Sequence, residues 1–143
     1  MKWRIEGYHC WRDGNKVGTI HLHCGEYWLI AGCDVFDGFG TLAEAKKKAK
    51  KAYGKAVKFK PFIWVLEVSI ESPRGDTDSV LAEVRYCYDG GHYNLTVAAP
   101  YIRVGHEVCI ATGRLIRAKE ACENLIQGML GFLEVLGWKR VKE

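Results

Sequence analysis

The stretch Phe39-Gly-Thr-Leu-Ala-Glu-Ala-Lys-Lys-Lys-Ala-Lys-Lys-Ala-Tyr53 decides how this chain is read. Thr41 is a helix cap, and Glu44 three residues later completes a capping box. Leu42, Ala45, Ala49, Ala52 and Tyr53 recur at helical spacing. They form one apolar face, and the alanines let it lie close to whatever it covers. The other side is almost entirely lysine: Lys46, Lys47, Lys48, Lys50 and Lys51. A short helix of this kind needs a sheet beneath it.

The preceding residues supply one. Trp3 to Trp11 alternates as a strand does, Val17 to Cys24 is a second strand and Tyr27 to Val35 a third. Asp13-Gly-Asn-Lys16 is a turn signal, because Gly and Asn accept positive φ. With a two-residue turn at Gly14-Asn15, Cys10 pairs with Thr19; with a second at Gly25-Glu26, Leu22 pairs with Leu29. That register collects Trp3, Ile5, Ile20, Leu22, Cys24, Tyr27, Leu29, Ala31 and Cys33 on one face, for the helix to cover. The opposite face then holds Arg4, Glu6, Tyr8, Cys10, Arg12, Thr19, His21, His23, Trp28 and Ile30. Cations, aromatic rings and hydrogen-bonding groups mixed in this way suit a sheet that reads nucleic acid. Arginine contacts phosphate or guanine, and rings stack on bases. Asp37-Gly-Phe-Gly40 is read as a loop.

The second half repeats the plan. Lys58-Phe-Lys-Pro61 is read as a linker. Phe62 to Glu71 is a strand with Phe62, Trp64, Leu66, Val68 and Ile70 on one side. Val80 to Tyr88 and His92 to Ala99 form a hairpin around Asp89-Gly90-Gly91, and Val104 to Ala111 is a weaker fourth strand. A long helix then runs from Gly113 to Leu136, with Thr112 as its cap and Gly137 as its stop. Its apolar face is wider than one small sheet requires. The surplus is expected to pack on the first half or on a second copy of the chain, as a homodimer through residues 113–136. The fold class is therefore α+β. Residues 1–57 form a three-stranded antiparallel sheet with a short helix; residues 61–143 form a three- to four-stranded antiparallel sheet with a long helix.

Charge separates the halves. Residues 1–60 hold 12 Lys/Arg against 6 Asp/Glu, and residues 61–143 hold 9 against 11. An acidic partner is expected at the first half, either a nucleic acid or an acidic or nucleic-acid-binding protein complex. The candidate contact residues are Arg4, Tyr8, Arg12, His21, His23, Trp28, Lys46, Lys47, Lys50 and Lys51.

No catalytic set, cofactor motif or metal site emerges. His21 and His23 share a strand face, but Cys24 points away from it, so the three do not chelate together; His21 and His23 with an acid such as Asp34 stay the one geometric alternative. The aspartates fall in turns, and no glycine-rich phosphate loop follows a strand. An enzyme of unrecognised type is the weakest of the readings. The six cysteines include no C-x-x-C pair and are expected reduced. The start Met1-Lys-Trp-Arg-Ile-Glu6 has no apolar core, and no run of about 20 apolar residues exists, so a cytoplasmic protein with no membrane partner is expected.

Three short strands, then Phe39-Gly-Thr-Leu-Ala-Glu-Ala-Lys46 and Ala52-Tyr53, resemble the AP2-type DNA-binding module over residues 3–54. The stretch is also similar to the arm-binding domains of phage integrases. The resemblance implies a sheet that enters the major groove, with Arg4, Arg12 and Trp28 as readers. It does not imply integrase activity, since no recombinase domain follows. Small size, basic character and two α+β modules also suit a phage-type inhibitor or adaptor that binds a host complex, for example an anti-defence or anti-CRISPR-like protein.

Overall fold

The computed structural model describes residues 2–31, 34–87, 91–104 and 114–141. In chain order the elements are β1 (Trp3–Arg12), β2 (Asn15–His23), β3 (Glu26–Ala31), β4 (Asp34–Phe39), α1 (Leu42–Tyr53), β5 (Lys58–Glu71), β6 (Thr77–Cys87), β7 (His92–Ala99), β8 (Ile102–Val104), α2 (Leu115–Val135) and β9 (Lys139–Arg140). The strands hydrogen-bond in the order β4-β3-β2-β1-β5-β6-β7-β8, and β9 also pairs with β5. The class is α+β, as the sequence indicates. The chain divides into two compact units, Ile5–Ile63 on one hand and Met1–Arg4 with Trp64–Glu143 on the other. Lys58-Phe-Lys-Pro61, expected as a linker, is the beginning of β5. The alternation of lysine and phenylalanine there is a strand signal, and Pro61 masks it, because proline is disfavoured within sheets.

In the unit Ile5–Ile63, both hairpins turn one residue earlier than expected. Asp13 and Gly14 have φ of 50° and 77°, and Cys24 and Gly25 have φ of 50° and 80°. Tight hairpins favour positive φ at both central residues, and Gly in the second place meets that demand best. The consequence differs between the hairpins. On β2 and β3, Ile20 now faces Leu29 and Leu22 faces Tyr27. That is a two-residue shift, which leaves each side chain on its expected face. On β1 and β2, Tyr8 faces Ile20 and Cys10 faces Gly18, with a bulge between Cys10 and Trp11. That is a one-residue shift, and it turns the paired part of β1 over. Tyr8 and Cys10 therefore join Gly18, Ile20 and Leu29 on the α1 side. Gly7 and His9 join Thr19, His21 and Trp28 on the other.

Packing follows this register. Cys10, Ile20, Leu29, Ala45, Ala49 and Val57 are the buried centre, with Tyr27, Phe36, Phe39, Leu42, Tyr53 and Phe59 around them. Phe36 and Phe39 come from β4, a strand where a loop is expected; Phe36 pairs with Leu29 and Phe39 with Tyr27. The position opposite Cys10 has to be Gly18. A Cβ there would stand 2.5 Å from the Tyr53 hydroxyl oxygen. Ile5, expected under the helix, is instead exposed.

In the other unit, Trp64, Leu66, Val68 and Ile70 of β5 share a core with Val80, Ala82 and Val84 of β6 and Tyr93, Leu95 and Val97 of β7. These are four of the five β5 residues expected on one side; Phe62 lies outside this core, and the intervening Ile63 and Val65 are buried too. Ala118, Cys122, Ile126, Met129, Leu130 and Leu133 of α2 close that core. At the end of α2, Gly137 takes φ 91° and the Trp138 amide donates to the Leu133 carbonyl at 3.0 Å. This is the left-handed helix stop that a glycine makes available. The basic residues that follow form a strand: β9 pairs Arg140 with Ile70 and Lys139 with Glu71. The expected cap Thr112, the helix start at Gly113, Asp89-Gly90 of the turn and most of the expected strand Val104–Ala111 lie outside the described residues. Among the described residues, no helix is long and apolar enough to cross a membrane.

Candidate nucleic-acid interface

Helix α1 is fixed at both ends by its own sequence. The Glu44 amide donates to the Thr41 hydroxyl oxygen at 3.2 Å, which is the cap expected there. At the other end the Gly54 amide donates to the Lys50 carbonyl at 2.8 Å. Gly54 takes φ 96°, a conformation that L side chains rarely adopt. Lys50 and Lys51 occupy the last turn, where cations are favoured by the helix dipole. The Arg12 guanidinium approaches the same end; a Cβ on Gly54 would lie 3.8 Å from its nearest nitrogen. Arg12 also lies 3.7 Å from Asp13.

The lysines divide into two kinds. Lys46 and Lys48 lie along the aromatic margin of the core. The Lys46 ammonium is 4.5 Å from the centre of the Tyr8 ring and 5.3 Å from that of Phe59. The Lys48 ammonium is 5.0 Å from the centre of the Phe36 ring. Their stems cover apolar surface while the charged heads stay in water. Lys47, Lys50 and Lys51 are exposed. Among the described residues, no α1 lysine forms an ion pair with a carboxylate. Burial, with Tyr27 second, pushes the Tyr8 phenol above its ordinary pKa, so it stays a neutral hydroxyl.

On the opposite side of the same sheet stands a group of rings. His23 is 4.6 Å from Trp28 between ring centres, His21 is 6.3 Å from Trp28, and His21 and His23 are 6.1 Å apart. His9 stacks on Phe62 at 3.7 Å and meets the Thr19 hydroxyl at 3.1 Å through Nδ1. The Lys60 ammonium lies 4.6 Å from the centre of the Trp11 ring.

The ten candidate contact residues thus separate into three places. Tyr8 and Arg12 move to the α1 side and stand with Lys46, Lys47, Lys50 and Lys51. His21, His23 and Trp28 stay together, without an arginine. Arg4 belongs to the other compact unit and pairs with Glu67 at 2.9 Å. The single face of arginine and tryptophan expected from the sequence is not formed, because the bulge and early turn invert β1. Lys48 and Lys60 both belong to the lysine run of residues 46–60 but not to the ten candidates; that Lys60 lies over the Trp11 ring depends on the register.

Among the described residues, no three His, Cys, Asp or Glu side chains gather as metal ligands. Cys10, Cys24, Cys87 and Cys122 are free thiols, and Cys33 and Cys109 lie outside the described residues. Cys10 and Cys122 are buried, which pushes their thiols to about 11 and about 12. Such thiols are poor nucleophiles. Comparison with known proteins found no matching family model, no matching curated protein and no matching solved structure.

Proposed function

We propose that this is a small non-enzymatic accessory or regulatory protein that binds nucleic acid along its phosphate backbone, through α1 and Arg12. One observation carries this reading. A 12-residue helix bears five lysines, and none of them is ion-paired to a carboxylate among the described residues. Cations that no internal carboxylate neutralises are available to replace the counterions of a polyanion. The resemblance of residues 3–54 to AP2-type modules supports the same class of partner. The mode differs from the one which that resemblance implies, because the arginines and Trp28 do not share a face. Backbone contact by a lysine helix positions a protein on nucleic acid and carries no base sequence. Weak sequence preference is therefore expected.

The test is a salt-titrated anisotropy assay with short duplex and single-stranded DNA and RNA. If five lysines each neutralise a phosphate, the log–log slope on duplex DNA is about −4 to −5. No binding to any of the four probes at low salt would sink the proposal.

The separation of the α1 lysines from His21, His23 and Trp28 also favours a second reading, an inhibitor or adaptor that docks on the acidic surface of a protein complex. Charge alone suffices for that contact. A protein partner that stays bound to the whole chain after nuclease treatment, and is lost when Lys47, Lys50 and Lys51 are replaced, supports it over the first.

A further inference from the structure

Helix α2 carries a second apolar stripe beside the one that meets its sheet. The buried stripe is Ala118, Cys122, Ile126, Met129 and Leu133. About one position round the helix lie Ala121, Leu125, Gly128, Phe132 and Val135, at alternating spacings of four and three. That spacing is the seam of two helices packed side by side. Leu125, Phe132, Val135 and the adjoining Leu136 are 40%, 48%, 85% and 47% exposed.

Two glycines add an independent observation. A Cβ on Gly128 or Gly131 would meet nothing within 4 Å. Glycine is a poor residue for a helix interior, second only to proline. Close packing among the described residues does not require either of them. Close approach of another backbone would account for Gly128, which lies in the middle of the seam.

We propose that this seam is the contact with a second copy of the chain, crossing antiparallel at Gly128. A two-fold axis there sets Leu125 of each copy near Phe132 of the other, and Ala121 near Val135. Apolar side chains then meet apolar ones on both sides of the axis, as a self-complementary interface requires. No charged side chain lies in the seam from Ala121 to Leu136, so like charges do not oppose the pairing. Those exposures amount to roughly 400 Å² of apolar surface per copy, the size of the largest patch on a typical monomer, which is often functional. It is about the apolar share of an interface of some 700–800 Å² per partner, the usual size of a stable one.

The experiment is sedimentation of the whole chain from low to high micromolar concentration, with variants. A concentration-dependent dimer is expected for the native sequence. Gly128→Arg places its side chain in open space within one copy, and arginine is the better helix former, so it should fold and melt no lower than the native chain. It should weaken the dimer at least tenfold. Phe132→Gln, on the same seam, should weaken it likewise. Glu120→Arg, exposed but off the seam, should leave it intact. A monomer at all concentrations overturns the proposal, and so does a dimer that withstands both seam variants. This inference is independent of nucleic-acid binding, and either can fail without the other.

Discussion

Replacing Lys47, Lys50 and Lys51 together by glutamine isolates the charge of α1 from its fold. All three side chains are exposed, and none is ion-paired to a carboxylate among the described residues. Glutamine and lysine have nearly equal helix propensity, so the helix persists. The loss of Lys50 and Lys51 from the last turn costs about 0.3–1 kcal/mol each through the dipole, which thermal unfolding will register as a few degrees. The effect on binding should be much larger. Each lost phosphate contact removes about 0.9 from the log–log salt slope, so three remove about 2.7. Carried to physiological salt, the same three contacts amount to roughly a hundredfold in affinity for duplex DNA. The assay is fluorescence anisotropy across a salt series. Lys139→Gln with Arg140→Gln serves as the control, since those cations lie on β9 in the other unit. A folded triple variant with an unchanged slope refutes the assignment of the phosphate contacts to α1.

Three further outcomes follow from the packing. The Tyr53 hydroxyl is shielded from solvent without a hydrogen-bond partner among the described residues. Tyr53→Phe should therefore raise stability by about 1–3 kcal/mol; a clear loss in denaturant unfolding would contradict that. Gly7→Ala would set a Cβ 2.7 Å from Ile63 Cδ1 and 2.9 Å from Phe62 Cε1, and should destabilise by about 1–3 kcal/mol. Shortening Ile63 to Val in the same chain should recover part of that loss, and no recovery would place the strain elsewhere. Burial holds the Cys10 thiol at about 11, and burial followed by Glu123 holds Cys122 at about 12, both from an ordinary 9.0. The unfolded chain then releases these protons first, so stability is full below pH 9 and falls until pH 11–12, by about 1.4 kcal/mol per unit for each thiol. Cys122→Ala should flatten that decline in alkaline unfolding curves, and an unchanged slope would assign it to other groups.

The sequence by itself determined the elements whose signals are local. The Thr41 cap, the alanine face of α1, the alternate core residues Trp64, Leu66, Val68 and Ile70 of β5 and the Gly137 stop each depend on residues within a few positions of one another. The lysine face was legible for the same reason, since side chains on a helix are ordered by sequence spacing alone. The faces of β2 and β3 survived a misplaced turn, because a two-residue shift preserves side-chain parity. Only the tertiary structure decided which way β1 faces. Asp13-Gly14 rather than Gly14-Asn15 makes the turn, a bulge follows Cys10, and Tyr8 and Arg12 exchange sides with His9 and Gly7. Parity is a property of the pairing between strands. A single displaced residue reverses it, and no composition or periodicity along one strand records the displacement. That is why the cations of the first half could be counted from the sequence, while their separation from His21, His23 and Trp28 could not.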